Sequence, residues 1–177
     1  RGLRMDAFYH AAAQLPDAVS APLRRVAPQR ARTVTEIRLR SERRVTLTTP
    51  EGPRFITPEG RLAEWAADNT LFTGHALLQS CFAAVCGHSV HSFSDSIANG
   101  FVPMPGGHRA GVCGTAYRDG DGGLALKEIT SVNIRIARTS VCACDARLLP
   151  LLRAPRVGLV IAGEPGSGKT TLLRAVL

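Results

Sequence analysis

Lysine is nearly absent from this chain of 177 residues: only Lys127 and Lys169 occur, so arginine carries the positive charge. Aromatic residues are scarce as well, at 5% of the sequence, which leaves few side chains for stacking on exposed bases. No run approaches the ~18 uninterrupted apolar residues that a membrane-spanning helix needs. The closest stretch, 148–162, is broken by Arg153 and Arg156. No secretory n-region and h-region opens the chain. The five cysteines are odd in number and show no framework spacing, which fits a reducing cytoplasm better than a disulfide-stapled secreted fold. Internal repeats and low-complexity segments are also missing.

What is present is an ordinary globular composition with an unusual charge. Apolar residues make up 45% of the chain, which argues against wholesale disorder, while the formal net charge is +8. From Arg1 to Arg44, ten arginines face Asp6, Asp17, Glu36 and Glu42, a net of +6. Such a front end suits nucleic acid, an anionic membrane surface or an acidic partner. A merely solvated arginine-rich face would have the same composition.

The pattern along the chain predicts α and β elements in sequence. Met5 to Leu15 has helical spacing, and Pro16-Asp17 starts a second helix through Leu23 and Val26. Thr33 to Arg40 alternates as a strand, Arg44 to Thr49 reads as another, and Phe55-Ile56-Thr57 as a third. Thr73 to Cys86 reads as a helix that Thr73 can cap, with Leu77, Leu78, Phe82 and Val85 on one face. A further helix from about Ser89 to Ala98 ends at Asn99-Gly100. Then Phe101-Val102 enters a rigid Pro103–Gly107 turn, and His108 to Tyr117 runs on as a small-residue strand. Asp119-Gly-Asp-Gly-Gly123 signals a hairpin, and the return strand runs from Leu124, with a break near Thr130, towards Arg138. One or two helical turns over Asp145 to Leu152 lead to Pro155. Residues 1–140 are therefore expected to form an α+β N-terminal domain, with 141–155 as a linker and a second domain starting at 156.

That second domain opens on the most specific motif. Gly163, Gly168, Lys169 and Thr170 match G-x-x-x-x-G-K-[ST], the phosphate-binding loop of nucleotide triphosphatases. Val157 to Ala162 before it reads as a fully buried strand, and Thr171 onward as a helix opening. Backbone N–H groups along Gly163, Glu164, Pro165, Gly166, Ser167, Gly168, Lys169, Thr170 and Thr171 would then cradle phosphates at a helix N-terminus. Lys169 would reach the β- and γ-phosphates of ATP, and Thr170 would offer its hydroxyl to Mg²⁺. The bland alternative is a glycine-rich turn between strand and helix. A complete domain of this kind needs a parallel sheet and an acidic residue on a later strand. The expectation is therefore the front portion of a longer protein: an α+β domain followed by the truncated start of an α/β RecA-like P-loop ATPase core.

Three arginines are candidates for sensing or neutralising charge on a γ-phosphate, in their own or a neighbouring subunit: Arg109, Arg135 and Arg138. Cross-strand pairing with carboxylates such as Glu128 or Asp119 is the structural alternative. Cys81, Cys86, His88 and His91 are four metal-capable residues within a short stretch, but their spacing is not a standard zinc pattern, and both cysteines also suit a buried helix face. Cys142 and Cys144 are either a redox pair or unremarkable linker residues.

In order, Glu36-Ile-Arg-Leu-Arg40, Gly100-Phe-Val-Pro-Met-Pro-Gly-Gly-His-Arg109, Asn133-Ile-Arg-Ile-Ala-Arg138 and the loop at 163–174 resemble the stage III sporulation protein AA family over about residues 20–177. That family comprises ATPases of endospore-forming bacteria, similar to the hexameric ring ATPases of type II and type IV secretion. The resemblance implies ATP and Mg²⁺ as cofactors and a homo-oligomer. It also implies membrane proteins of the mother-cell/forespore channel as partners, and a cytoplasmic, membrane-peripheral location in the mother cell. The rival expectation is a nucleic-acid-binding protein that uses its basic front end, with nucleotide as regulator.

Overall fold

The computed structural model describes residues 6–118, 120, 124–138, 150, 158, 160–164 and 167–176. It divides the chain into two compact units, Arg1–Ala137 and Arg138–Leu177.

The first unit begins with three short helices, α1 (Ala7–Ala12), α2 (Asp17–Arg24) and α3 (Pro28–Ala31). The Asp6 carboxylate caps α1 by accepting the Phe8 N–H at 2.9 Å, and Pro28 starts α3 where a missing N–H costs nothing. The strands β1 (Glu36–Arg40), β2 (Arg43–Arg44), β3 (Thr46–Thr49), β4 (Gly52–Ile56), β5 (Leu62–Ala63) and β6 (Phe72–Thr73) follow. Then come α4 (His75–Val85), a 3₁₀ turn at Val90–Phe93, α5 (Ser94–Ala98), β7 (Phe101–Pro103), a 3₁₀ turn at Pro105–Gly107, and the long strands β8 (Arg109–Arg118) and β9 (Leu124–Arg135).

Seven strands form one antiparallel sheet in the order β5-β4-β3-β1-β9-β8-β7, and β2 pairs with β6 in a separate two-stranded ribbon. Alternation decides the faces. Ile37, Leu39, Leu47, Ala110, Val112, Val132 and Ile134 point to one side. There they join Leu78, Cys81, Phe82 and Val85 of α4, with Phe8, Val19 and Leu23 of the N-terminal helices, in one buried cluster. Glu36, Arg38, Arg40, Asn133, Arg135 and Arg109 occupy the other side, half-buried or exposed. The result is a mixed α/β unit with an antiparallel sheet, helix-backed on one face and open on the other.

Several expectations need correction. Thr73 belongs to β6 and does not cap α4. Gly74 is the N-cap, and the remote Glu42 carboxylate accepts the His75 N–H at 2.9 Å. The expected strand at 44–49 is split, because the Val45 N–H donates to the Leu71 carbonyl at 2.8 Å and leaves the β3 ladder. Residues 89–98 form a 3₁₀ turn followed by α5 rather than one helix. The hairpin at 119–123 and the turns expected over 145–152 lie outside the described residues, apart from Gly120 and Pro150.

In the second unit, α6 (Lys169–Val176) starts two residues before the expected opening at Thr171. The described residues among 157–162 carry no strand pairing, and Val160 is 87% exposed. A parallel strand exists only beside neighbouring strands, and the described residues of this unit supply none.

Candidate nucleotide loop and the arginine face

The loop before α6 closes on itself. Lys169 Nζ donates to the Gly163 carbonyl at 2.7 Å and to the Glu164 carbonyl at 2.6 Å. The Ser167 N–H donates to the Glu164 carbonyl at 3.2 Å, and the first α6 hydrogen bond runs from Leu172 N–H to Gly168 O at 2.9 Å. Gly168 has φ +87°, left-handed backbone that a side chain would strain, and it is this bend that turns the chain into the helix. The lysine amine thus lies against the Gly163 and Glu164 carbonyls at the opening of α6, where the first N–H groups of a helix have no intrahelical acceptor, which is the donor set an oligophosphate needs. Thr170 is exposed and Thr171 half-buried in the first turn, while Pro165 and Gly166 lie outside the described residues. The donor chemistry fits ATP, and the exposed Thr170 hydroxyl suits Mg²⁺.

The arginine candidates separate. Arg109 and Arg135 are direct register partners on β8 and β9, on the open face of the sheet. Arg138 belongs to the second unit. Across β9, the residue opposite Arg135 is Glu36 of β1, not Glu128, whose own register partner is Thr115; Asp119 is outside the described residues. The Glu36 carboxylate is already engaged, accepting from Arg38 Nε at 2.5 Å and from the Thr48 hydroxyl at 3.4 Å. Arg109 lies over the Phe101 ring at 5.6 Å, a cation–π contact that keeps its guanidinium out over the sheet. Among the described residues, neither Arg109 nor Arg135 has a carboxylate partner.

His108, beside Arg109 in the turn after β7, is only 2% exposed. The Ala137 N–H donates to its Nδ1 at 2.9 Å, so that nitrogen carries a lone pair and the ring proton sits on Nε2. Nε2 lies 3.2 Å from His10 Nδ1 on α1. His108 therefore ties the Gly-Gly-His-Arg turn to α1 and to the last residue of the first unit. The sequence pattern does not point to His10, because its partner is remote in the chain and shares no periodicity with it. The position of Glu36 opposite Arg135 is likewise not legible until the register is known. Of the four metal-capable residues at 81–91, Cys81 and Cys86 face the core while His88 and His91 are exposed, and no group of three or more His, Cys, Asp or Glu converges among the described residues.

The chain thus carries a helix-backed antiparallel sheet with arginines on its open face and, in its second unit, a segment that matches the phosphate-loop pattern at the opening of a helix. The chain belongs to the Sporulation stage III, protein AA family, whose model matches residues 12–177. It is 29% identical over 160 residues to Stage III sporulation protein AA of Bacillus subtilis (strain 168), an alignment covering 90% of this chain and 48% of that relative. The chain therefore spans about half the length of the curated relative it matches. Among solved structures, the ATPase DotB of Legionella pneumophila is similar at 17% identity and a TM-score of 0.40, with 81% of this chain and 37% of that one covered. No described helix is long and apolar enough to cross a membrane.

Proposed function

We propose that this chain is the ATP-binding front portion of an oligomeric ATPase that powers or assembles a channel during sporulation, acting from the cytoplasmic face of the mother-cell membrane. The observation that carries the reading is the Lys169 amine, held by the Gly163 and Glu164 carbonyls at the opening of α6. Those carbonyls are weak competitors for an ammonium group once an oligophosphate enters, so Lys169 exchanges them for the β- and γ-phosphates. Thr170 positions its hydroxyl for Mg²⁺, which when bound neutralises charge on the same phosphates. Residues 1–140 form the N-terminal domain, and the loop opens a RecA-like core.

Arg109 and Arg135 complete the reading. Like charges directly opposite on a sheet disfavour each other, and among the described residues these two have no carboxylate partner, so an anion on this face stabilises them. In this reading the anion is the γ-phosphate of the same or a neighbouring subunit, with Arg138 assisting. The family relationship supports the sporulation role, and the ring of identical subunits is part of the proposal.

The test is turnover and fluorescent-ATP binding in the complete protein. Lys169→Ala is expected to cut turnover by at least about 100-fold, and Thr170→Ala to raise the Mg²⁺ concentration needed for half-maximal turnover. Arg109→Ala and Arg135→Ala should lower kcat with little change in ATP affinity. Full turnover in Lys169→Ala would remove the loop from the chemistry, and an unchanged kcat in both arginine variants would remove the γ-phosphate role.

A further inference from the structure

Away from the Arg109–Arg135 pair, the open face of the sheet meets the β2–β6 ribbon in a cleft of about 530 Å³. Arg38, Arg40, Thr46, Pro53 and Phe55 come from β1, β3 and β4, and Arg43, Arg44 and Phe72 from the ribbon. The four arginines are not equivalent. Arg38 is bound to Glu36. Arg44 lies over the Phe72 ring at 5.4 Å, pairs with Asp68 at 3.6 Å, and donates to the Asp68 and Thr70 carbonyls. Arg40 and Arg43 are exposed and have no partner among the described residues. The one carboxylate lining the cleft, Glu42, is committed to the His75 N–H at the start of α4.

A second cavity differs in how many carboxylates accompany its arginines. It holds about 420 Å³ beside Arg25, Arg30, Arg54 and Arg61, but Glu51, Glu59 and Glu64 line it too. Arg30 and Arg54 pair with Glu51, Arg54 also with Glu64, and Arg25 donates to the Pro58 carbonyl. That cavity sets three carboxylates against its four arginines, whereas Glu42 is the single carboxylate lining the ribbon cleft, where Arg40 and Arg43 have no ion-pair partner among the described residues.

The ribbon cleft also holds the aromatic surface that a low overall aromatic content conceals. Phe72 is 43% exposed, Phe55 is half-buried in the floor, and Trp65, in the segment leading to the cleft residue Ala66, is 79% exposed. Unpaired guanidinium groups beside accessible rings, in a concavity of ligand-binding size, match a chain of phosphates with unstacked bases. A flat bilayer fits a concave cleft poorly, and an acidic peptide makes no use of the ring faces. Duplex bases are stacked inside and offer no face to Phe72.

We propose that the cleft between β1–β3–β4 and the β2–β6 ribbon binds single-stranded nucleic acid. Arg40 and Arg43 hold phosphates, and Phe72 stacks a base. The site is separate from the nucleotide loop and does not depend on how that loop functions.

The experiment is fluorescence anisotropy of the intact 177-residue chain with a labelled 12-nucleotide oligo-U. The same length of duplex and anionic phosphatidylglycerol vesicles serve as competitors, each at two salt concentrations. The single strand is expected to bind, with the duplex at least about tenfold weaker. The Arg40→Ala/Arg43→Ala double variant should bind about tenfold more weakly and flatten the slope of log K against log salt by about 1.4, at ~0.7 per phosphate contact. Phe72→Leu should weaken binding about tenfold with the slope unchanged. All three positions are exposed, so matching circular dichroism and melting curves check that the variants fold; Arg40→Lys/Arg43→Lys, which should retain the slope, covers any that do not. Saturating Mg-ATP should not displace the oligonucleotide. Equal duplex binding, displacement by ATP or by vesicles alone, or variants indistinguishable from the parent would overturn the proposal.

Discussion

Cys81 lies on the core side of α4 with no exposed surface, and burial pushes its thiol up to about 12. Burial raises the Cys86 thiol as well. The Tyr9 phenol, which donates to the Val26 carbonyl at 2.6 Å, is raised first by desolvation and then by the nearby Asp6 charge. All three groups keep their protons in the folded chain at pH values where the unfolded chain loses them. Above the ordinary thiol value of 9.0, unfolding therefore releases protons, and stability falls as pH rises from there towards about 12. The expected outcome is an unchanged urea midpoint between pH 7 and 8 and a loss on the order of 2 kcal/mol by pH 10.5. Cys81→Ala should flatten that alkaline fall; an identical fall in the variant would show that the buried thiol is not its source. The same burial sets reactivity. At pH 8, iodoacetamide followed by peptide mapping should find the exposed Cys113 modified well before Cys81 or Cys86.

The β8–β9 hairpin shows which features of an element are written locally and which are not. Its register slips twice, between Cys113 and Gly114 and between Thr115 and Ala116, leaving Thr130 and Lys127 as extra residues on β9. The first slip is the break expected near Thr130. There the Thr130 hydroxyl donates to the Cys113 carbonyl at 3.3 Å, and its own carbonyl accepts the Ser41 N–H at 2.9 Å. Opposite it, a Cβ on Gly114 would fall 1.9 Å from the Glu128 carbonyl oxygen, an impossible contact without backbone movement. Gly114→Ala is therefore expected to cost about 1–3 kcal/mol in urea unfolding. Cys113→Ala, at an exposed neighbouring position, should stay within about 0.5 kcal/mol. Equal midpoints for the two variants would mean that the strands separate there at no cost. Alternation in Glu36–Arg40, the Asn99-Gly100 stop and the start of α6 were legible because each depends on adjacent residues. The Glu36–Arg135 register, the Glu42 contact at α4 and the His10–His108 contact were not, because each is decided by residues far apart in the chain. Hydrophobicity at 157–162 predicts a buried strand, but the described residues of that run carry no strand pairing, since a strand forms only where another strand receives its hydrogen bonds.

At the scale of the whole chain, the two units differ in what they can bury for themselves. Every strand pair among the described residues lies between Glu36 and Arg135, and every core residue lies between Phe8 and Ile134 in one cluster that backs the seven-stranded sheet. The sheet's central strands, β1 and β9, come from opposite ends of the first unit, so its hydrogen bonds close the fold without residues beyond Ala137. His108 secures the end of that unit from within, through the Ala137 N–H. A unit of this size with one contiguous core is within the ordinary range for an independent domain, roughly 100–150 residues. The second unit presents Val160 and Leu173 to solvent, at 87% and 47% exposure, and its described helix α6 is eight residues long. Isolated helices below about 12–15 residues are marginal in water even with favourable composition. Expressed alone, residues 1–137 should therefore fold cooperatively, with near-parent circular dichroism per residue and a melting midpoint within a few degrees of the 177-residue chain. Residues 138–177 alone should be largely unfolded. A first fragment that melts without a cooperative transition would show that the sheet needs the P-loop segment. The two would then have to be treated as a single cooperative unit, in which substitutions at Lys169 or Thr170 change the stability of the arginine face as well as the nucleotide loop.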